Sequence, residues 1–194
     1  MLVYLSLVKH YMQKLQRKFY TQDTLIVAEE LLGNYLVYRH NGIEQIGKIV
    51  EVEAYLGTHD LASHSAKGLT KRTKIMFGPS GYAYIYLIYG MYHCFNIVTE
   101  PEGQGTAVLI RAIEPIKNII KRTNGPGLLA KAMNITAALN GYDLLSNDLF
   151  IAKNINYETI DIVKKPRIGV SYAKDWATKL LRFYIKNNQF VSKL

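Results

Sequence analysis

The run Glu51-Val52-Glu53-Ala54-Tyr55, followed by His64, gathers a carboxylate, a phenol and an imidazole within a short stretch. In an extended segment Glu53 and Tyr55 sit at i and i+2 and share a face. Such a set, turned into one pocket, suits acid/base work on a flat ring. The same residues also describe a solvated strand end with a surface histidine, and spacing by itself favours that plainer reading. A second group lies further on. Tyr86 and Tyr89 flank a predicted hairpin tip, Tyr89-Gly90, where a bulky side chain can push between base pairs of a duplex. A tyrosine core layer is the alternative, and it suits Tyr82 and Tyr84 better than Tyr89. Asn96 and Arg111 fall in apolar runs. If buried they need partners, because an unpaired amide or guanidinium there is costly. Structural pairing is the default, and recognition of a ligand edge is the sharper option.

The elements that must position these groups read as one mixed domain. Asp23 caps a helix over Thr24 to Leu32, with Leu25, Ala28, Leu31 and Leu32 as its stripe and Gly33 as its stop. Tyr35 to His40 alternates as a strand, Asn41-Gly42 is a tight turn, and Ile43 to Tyr55 is the returning strand. His59 to Lys74 reads as irregular, polar and basic. Tyr82, Tyr84 and Tyr86 alternate with Ala83, Ile85 and Leu87, which is a strand period. Tyr92 to Val98 returns from the Tyr89-Gly90-Met91 turn, and Ala107 to Ile113 is a further strand. Asn124-Gly125-Pro126-Gly127 feeds a helix through about Asn134. Phe150 to Val170 holds two or three short strands. Strands and helices are mixed rather than alternating, so an α+β fold with a largely antiparallel sheet is expected, not a doubly wound one.

The bulk properties narrow the partners. The chain has 194 residues, 24 Lys plus Arg against 15 Asp plus Glu, and a net charge of +9. A domain with pI near 9.5 attracts polyanions, of which nucleic acid is the commonest large one, although charge alone does not prove it. The 15 tyrosines add flat faces that tolerate water. Tyrosine excess with positive charge is the pairing that holds unstacked bases beside phosphates. Cys94 is the only cysteine, which excludes an intramolecular disulfide and a cysteine-rich zinc site. Met1 to Val8 is apolar but too short to span a bilayer, and reads as a cytoplasmic start with a helical first segment.

Several motifs resemble one family. Glu51-Val-Glu-Ala-Tyr-Leu-Gly57, Ala62-Ser-His64-Ser65, Met76-Phe-Gly-Pro79, Tyr84-Ile-Tyr-Leu-Ile-Tyr-Gly-Met91, Arg111-Ala-Ile-Glu-Pro115, Asn124-Gly-Pro-Gly127 and Pro166-Arg-Ile-Gly-Val170 with Asp175-Trp176-Ala177 are similar to the alkyladenine (3-methyladenine) DNA glycosylases. They run in the family's order from about Tyr20 to Ser192. The resemblance implies a glycosylase domain over residues 20–194 after an extension of residues 1–19. It implies a single α+β domain with a curved, mostly antiparallel sheet flanked by helices and a protruding β-hairpin. No metal or cofactor is implied, and neither is a membrane; the partner is double-stranded DNA with damaged purines, met by a monomer. It further implies that Glu53 activates water, that Arg111 helps position it, and that the Val170 carbonyl helps hold it. Tyr55, His64 and Tyr86 would sandwich the flipped base, with His64 also a hydrogen-bond donor. Asn96 would reject the exocyclic amine of normal guanine, and Tyr89 would fill the gap in the stack. The chain departs from the family pattern at Thr70-Lys71-Arg72-Thr73, often Thr-Pro-Arg-Asn, and at Leu128, often lysine. Lys71 and Lys131 are candidates to replace the lost phosphate contact.

Physical chemistry agrees with that reading. Extruding a nucleotide costs a few kcal/mol, and stacking on aromatics returns about 1–3 kcal/mol per base. An alkylated purine is cationic, and an aromatic face favours it by about 0.5–2 kcal/mol. Lys67, Lys71, Arg72 and Lys74 would grip phosphates without reading sequence. No lysine occurs in the pocket motifs, so base release without strand cleavage is expected. Two rivals share part of the pattern. A nucleic-acid-binding module would not need Glu53, and an enzyme of small nucleosides or carbohydrates would need neither wedge nor basic face.

Overall fold

A computed structural model describes residues 13–155 and 159–194. The helical first segment expected for Met1 to Val8 lies outside the described residues. The described residues build one open sheet of nine strands. Its strands are β1 (Gln13–Lys14), β2 (Tyr35–His40), β3 (Ile43–Tyr55), β4 (Ala83–Ile88), β5 (Tyr92–Thr99), β6 (Thr106–Lys117), β7 (Leu149–Lys153), β8 (Ile162–Lys165) and β9 (Arg182–Ile185). The main path runs β1-β7-β2-β3-β6-β5-β4, and the β8–β9 hairpin joins the edge of β3 that β2 leaves free. Every strand pairing is antiparallel. Among the described residues three α-helices complete the fold: α1 (Arg17–Tyr20), α2 (Thr24–Leu31) and α3 (Pro126–Ala132). The expected α+β architecture is therefore present.

Local chemistry explains most element ends. The Asp23 carboxylate accepts the N–H groups of Leu25 and Ile26, satisfying two donors that the first helical turn leaves free. Asn41 and Gly42 adopt left-handed φ of 49° and 73°, the backbone a two-residue hairpin turn needs. The β6 strand is longer than the apolar run Ala107 to Ile113 suggested, because β3 offers it a partner as far as Ile46. Conversely α3 stops at Ala132, short of the expected Asn134. His59 to Lys74 is not wholly irregular: His64–Lys67 forms a 3-10 turn, capped by the Ser63 hydroxyl accepting the Ser65 N–H.

The sheet has two unlike faces. Helices α2 and α3 cover one of them with Val52, Ala54, Ala83, Ile85, Phe95, Ile97, Val108 and Ile110, which form the main core. The opposite face carries Tyr84, Tyr86, Cys94, Asn96 and Leu109 around a cavity. On β3 and β6 this division depends on a break in pairing. Ile49 pairs with Ile113, but Glu51 pairs with Ala112, and Val52 then pairs with Ile110. Val50 and Arg111 are thus extra residues, and the inward-facing parity of both strands changes there. Ile49 and Val52 both reach the main core although they are three apart. Such bulges re-aim side chains beside functional sites.

The β4–β5 hairpin ends in Tyr89 and Gly90, at φ 53° and 67°, closed by the Met91 N–H donating to the Ile88 carbonyl at 3.2 Å. Glycine suits this conformation; a bulky residue pays about 1–2 kcal/mol for it. Tyr89 is 83% exposed, so little packing compensates. Asparagine tolerates the left-handed region, so Tyr89→Asn should raise stability by about 1 kcal/mol. Thermal unfolding should then show a Tm about 2–4 °C higher; a lower Tm would contradict backbone strain at this turn.

Candidate active site

One cavity of about 420 Å³ collects most of the residues singled out above: Glu53, Tyr55, His64, Arg72, Tyr86, Tyr89, Asn96, Arg111 and Val170. Strand β3 supplies Glu53 and Tyr55, β4 supplies Tyr86, β5 supplies Asn96 and β6 supplies Arg111. Glu53 is fully buried. Its Oε1 accepts the Ile168 backbone N–H at 2.7 Å and lies 3.2 Å from Arg111 Nη1, while its Oε2 accepts the Tyr55 hydroxyl at 2.9 Å. A carboxylate has about four lone-pair positions. Three are engaged, and the free one lies on Oε2. Burial lowers the pKa of Arg111, but the charges of Glu53 and Glu51 overcome it, and the net shift is upward. The guanidinium therefore stays charged beside Glu53. Burial, reinforced by the Glu53 charge, pushes the Tyr55 phenol well up, so it remains a donor.

The aromatic walls are braced from outside. The Arg167 guanidinium lies 4.7 Å from the centre of the Tyr55 ring and covers one of its faces. Arg167 is pinned by Asp60 through contacts of 2.5 and 2.8 Å, both side chains fully buried, and it also donates to the Ala54 carbonyl at 2.8 Å. His64 and Tyr86 meet edge to face with ring centres 4.5 Å apart. His64 Nδ1 is 2.9 Å from the Tyr84 hydroxyl. Asn96 is locked by its amide N–H groups donating to the carbonyls of Tyr84 and Cys94 at 3.0 and 3.3 Å. Val170 lines the cavity, and its carbonyl accepts the Ala173 N–H at 2.9 Å, which leaves one lone pair.

Other residues were not evident from spacing. Glu51 is fully buried and contacts Arg111 and Arg182. Tyr84, read as core, is buried yet also lines the cavity. Its place on the same strand face as Tyr86 was the available signal. Asp60 and Arg167 sat within polar or quoted runs without anything to pair them. Among the basic residues, Lys67, Lys71, Arg72 and Lys74 are all exposed, and Arg72 also reaches the cavity and lies 5.4 Å from the Tyr86 ring centre. Among the described residues no lysine lines the cavity.

Burial, helped by the positive charges of Arg72 and Lys67, lowers His64 from 6.5 to about 4. The ring is neutral at pH 7, which suits a cationic guest. Because the unfolded chain binds this proton first, the contribution of neutral His64 to stability is complete above about pH 6.5 and declines as pH falls toward 4. NMR titration of the His64 ring should give a midpoint near 4, moving up in Arg72→Gln; a wild-type midpoint at 6.5 or above would contradict this electrostatic picture.

Comparison with known proteins places the arrangement. Residues 18–189 match the methylpurine-DNA glycosylase family. A protein of Legionella pneumophila (strain Corby) named "Putative 3-methyladenine DNA glycosylase" is 67% identical over 183 residues, covering 94% of this chain and all of that protein. Proteins of the same name from Myxococcus xanthus and Alkaliphilus oremlandii are 48% and 47% identical, over 94% and 93% of this chain and 95% and 99% of theirs. Among the described residues no helix is long and apolar enough to cross a membrane. The chain belongs to the methylpurine-DNA glycosylase family, the monofunctional base-excision-repair enzymes that hydrolyse the N-glycosidic bond of alkylated purines in DNA.

Proposed function

We propose that Glu53 is the general base that activates water against the sugar C1′ of a purine flipped from duplex DNA. The observation that carries this is the setting of its carboxylate: buried in the cavity wall, 3.2 Å from the Arg111 guanidinium, and with one lone pair of Oε2 left over by its contacts to Ile168, Arg111 and Tyr55. Arg111 and the free lone pair of the Val170 carbonyl position the water. As the glycosidic bond breaks, its electron pair neutralises the cationic base, the sugar gains oxocarbenium character, and the Glu53 charge stabilises it. Water adds to C1′ and its proton passes to Glu53, leaving an abasic site.

Tyr55, His64 and Tyr86 hold the flipped base, and Asn96 forms the rigid wall that excludes the guanine amine. Tyr89 enters the stack in place of the lost nucleotide. Lys67, Lys71 and Lys74 contact phosphates, joined by Arg72 at the cavity rim. Deaminated purines such as hypoxanthine are also substrates, released more slowly at neutral pH because neutral His64 has no proton to spare for a neutral leaving base. The enzyme works as a monomer in the cytoplasm. Residues 20–194 form its glycosylase domain and residues 1–19 an extension, of which β1 and Arg17 engage that domain through β7 and Asp143.

Base release should be measured from duplexes carrying 3-methyladenine, hypoxanthine or normal purines. Glu53→Gln should slow single-turnover release by about 10²–10⁴-fold; release at the wild-type rate would sink the mechanism. Tyr89→Asn should cost roughly tenfold on duplex DNA, the worth of about one stacking contact, while the variant remains folded. Unchanged duplex activity would remove the wedge. The product strand should stay intact, and borohydride should trap no enzyme–DNA adduct.

A further inference from the structure

We propose that Glu51 is a positioning residue for the reaction: with the C-terminal segment Ser192–Lys193, it keeps Arg111 divided between two carboxylates and so preserves the lone pair of Glu53 that water uses. The inference rests on the reading of Glu53 as the general base. Glu51 does not line the cavity; it lies behind Glu53, fully buried. Its Oε1 accepts from Arg111 Nε at 3.2 Å and from Arg182 Nη1 at 2.9 Å, and its Oε2 accepts the Ser192 backbone N–H at 2.7 Å. Each partner reaches onward. Arg111 Nη1 contacts Glu53 and Nη2 donates to the Ser192 hydroxyl at 3.3 Å. Arg182 donates to the Lys193 carbonyl at 2.7 Å and to the Pro166 carbonyl at 3.1 Å. Pro166 opens the loop whose Ile168 N–H binds Glu53. Ser192 and Lys193 lie beyond residues 18–189, the stretch that matches the family.

Two carboxylates and two guanidiniums make this buried cluster neutral. Buried ion pairs are weak evidence for stability, since packed apolar groups often serve as well. Position gives the cluster its meaning. While Glu51 engages Arg111 Nε, only Nη1 is left for Glu53. Without the Glu51 charge, the guanidinium can turn its fork to grip both oxygens of Glu53. That grip occupies the free lone pair and weakens the base. The titratable groups facing Glu53 are Arg111 from β6, Tyr55 from β3, Tyr86 from β4 and Cys94 from β5. Burial pushes the two phenols and the thiol up, so Arg111, and Glu51 and Arg182 behind it, are the charges that act on Glu53.

The test uses the full-length enzyme with a duplex carrying 3-methyladenine, and follows single-turnover rate against pH together with the duplex Kd. Glu51→Gln should lower the rate about 10–100-fold, as a small misplacement of reacting groups does. Its acid limb should move down, because a like charge has left the neighbourhood of the base. Its Kd should change less than about twofold, since Glu51 is outside the cavity. Ser192→Pro deletes both the N–H that Glu51 accepts and the hydroxyl that Arg111 Nη2 reaches, without altering any charge, and should lower the rate several-fold with the acid limb in place. A wild-type rate in either variant overturns the proposal, as does a slow Glu51→Gln enzyme whose acid limb has not moved, because that is a merely structural defect. If Glu51→Gln does not fold, Ser192→Pro decides alone. Glu53→Gln is run beside them. If it is inactive while the other two match wild type, only the positioning role fails; if it is active, both readings fall.

Discussion

Burying a carboxylate in the wall of a cavity is costly unless its charge is met at once, and the architecture around Glu53 follows from that requirement. Desolvation of an ion costs several kcal/mol even after relaxation. Arg111 meets the charge, but a lone guanidinium on the sheet's inner face would raise the same difficulty in reverse. Glu51 and Arg182 complete a neutral set, and the C-terminal segment closes its remaining donors and acceptors. The long β3–β6 pairing holds the two carboxylates and Arg111 on rigid backbone. Under the proposed role of Glu53, rigid placement matters because a general base must meet its water at a fixed distance.

The cavity's aromatic lining follows a matching rule. A guest with positive charge is favoured by π-faces and disfavoured by a nearby cation. His64 is accordingly neutral, held so by burial and by the cations outside it. Positive charge is otherwise carried by Arg72 at the rim and by exposed lysines, or is tied up in buried pairs. Arg167, locked to Asp60, is the clearest case: its plane braces the back of the Tyr55 ring while its charge is neutralised within the protein. The same enclosure that excludes imidazolium also leaves little to protonate a neutral leaving base.

Tyr89 represents a different compromise. Its left-handed backbone and exposed ring are unfavourable for the isolated fold, and nothing in the core repays them. Strain of this kind persists where it serves function. A hairpin tip can present a ring beyond the protein surface, and the tight turn limits its freedom before DNA arrives.

The sequence by itself determined the elements and several of their ends. Asp23 capped its predicted helix, Asn41-Gly42 turned its predicted hairpin, and the alternation of Tyr84 and Tyr86 with Ala83 and Ile85 placed a strand with unlike faces. These are local effects of capping, turn conformation and period, which a short stretch carries within itself. Together with the ordered motifs, they also placed Glu53, Tyr55, His64 and Asn96 in one site. Only the tertiary structure decided how that site is wired. Strict alternation would have put Ile49 on the same face as Glu51 and Glu53; the bulge at Val50 and Arg111 separates them, and a bulge arises from the offset between two strands about sixty residues apart, not from either alone. The pairing of Asp60 with Arg167, of Glu51 with Ser192, and the entry of Arg72 into the cavity are likewise products of distant segments. Long-range charge pairing leaves no period or turn signal behind, so it becomes visible only when the chain has folded.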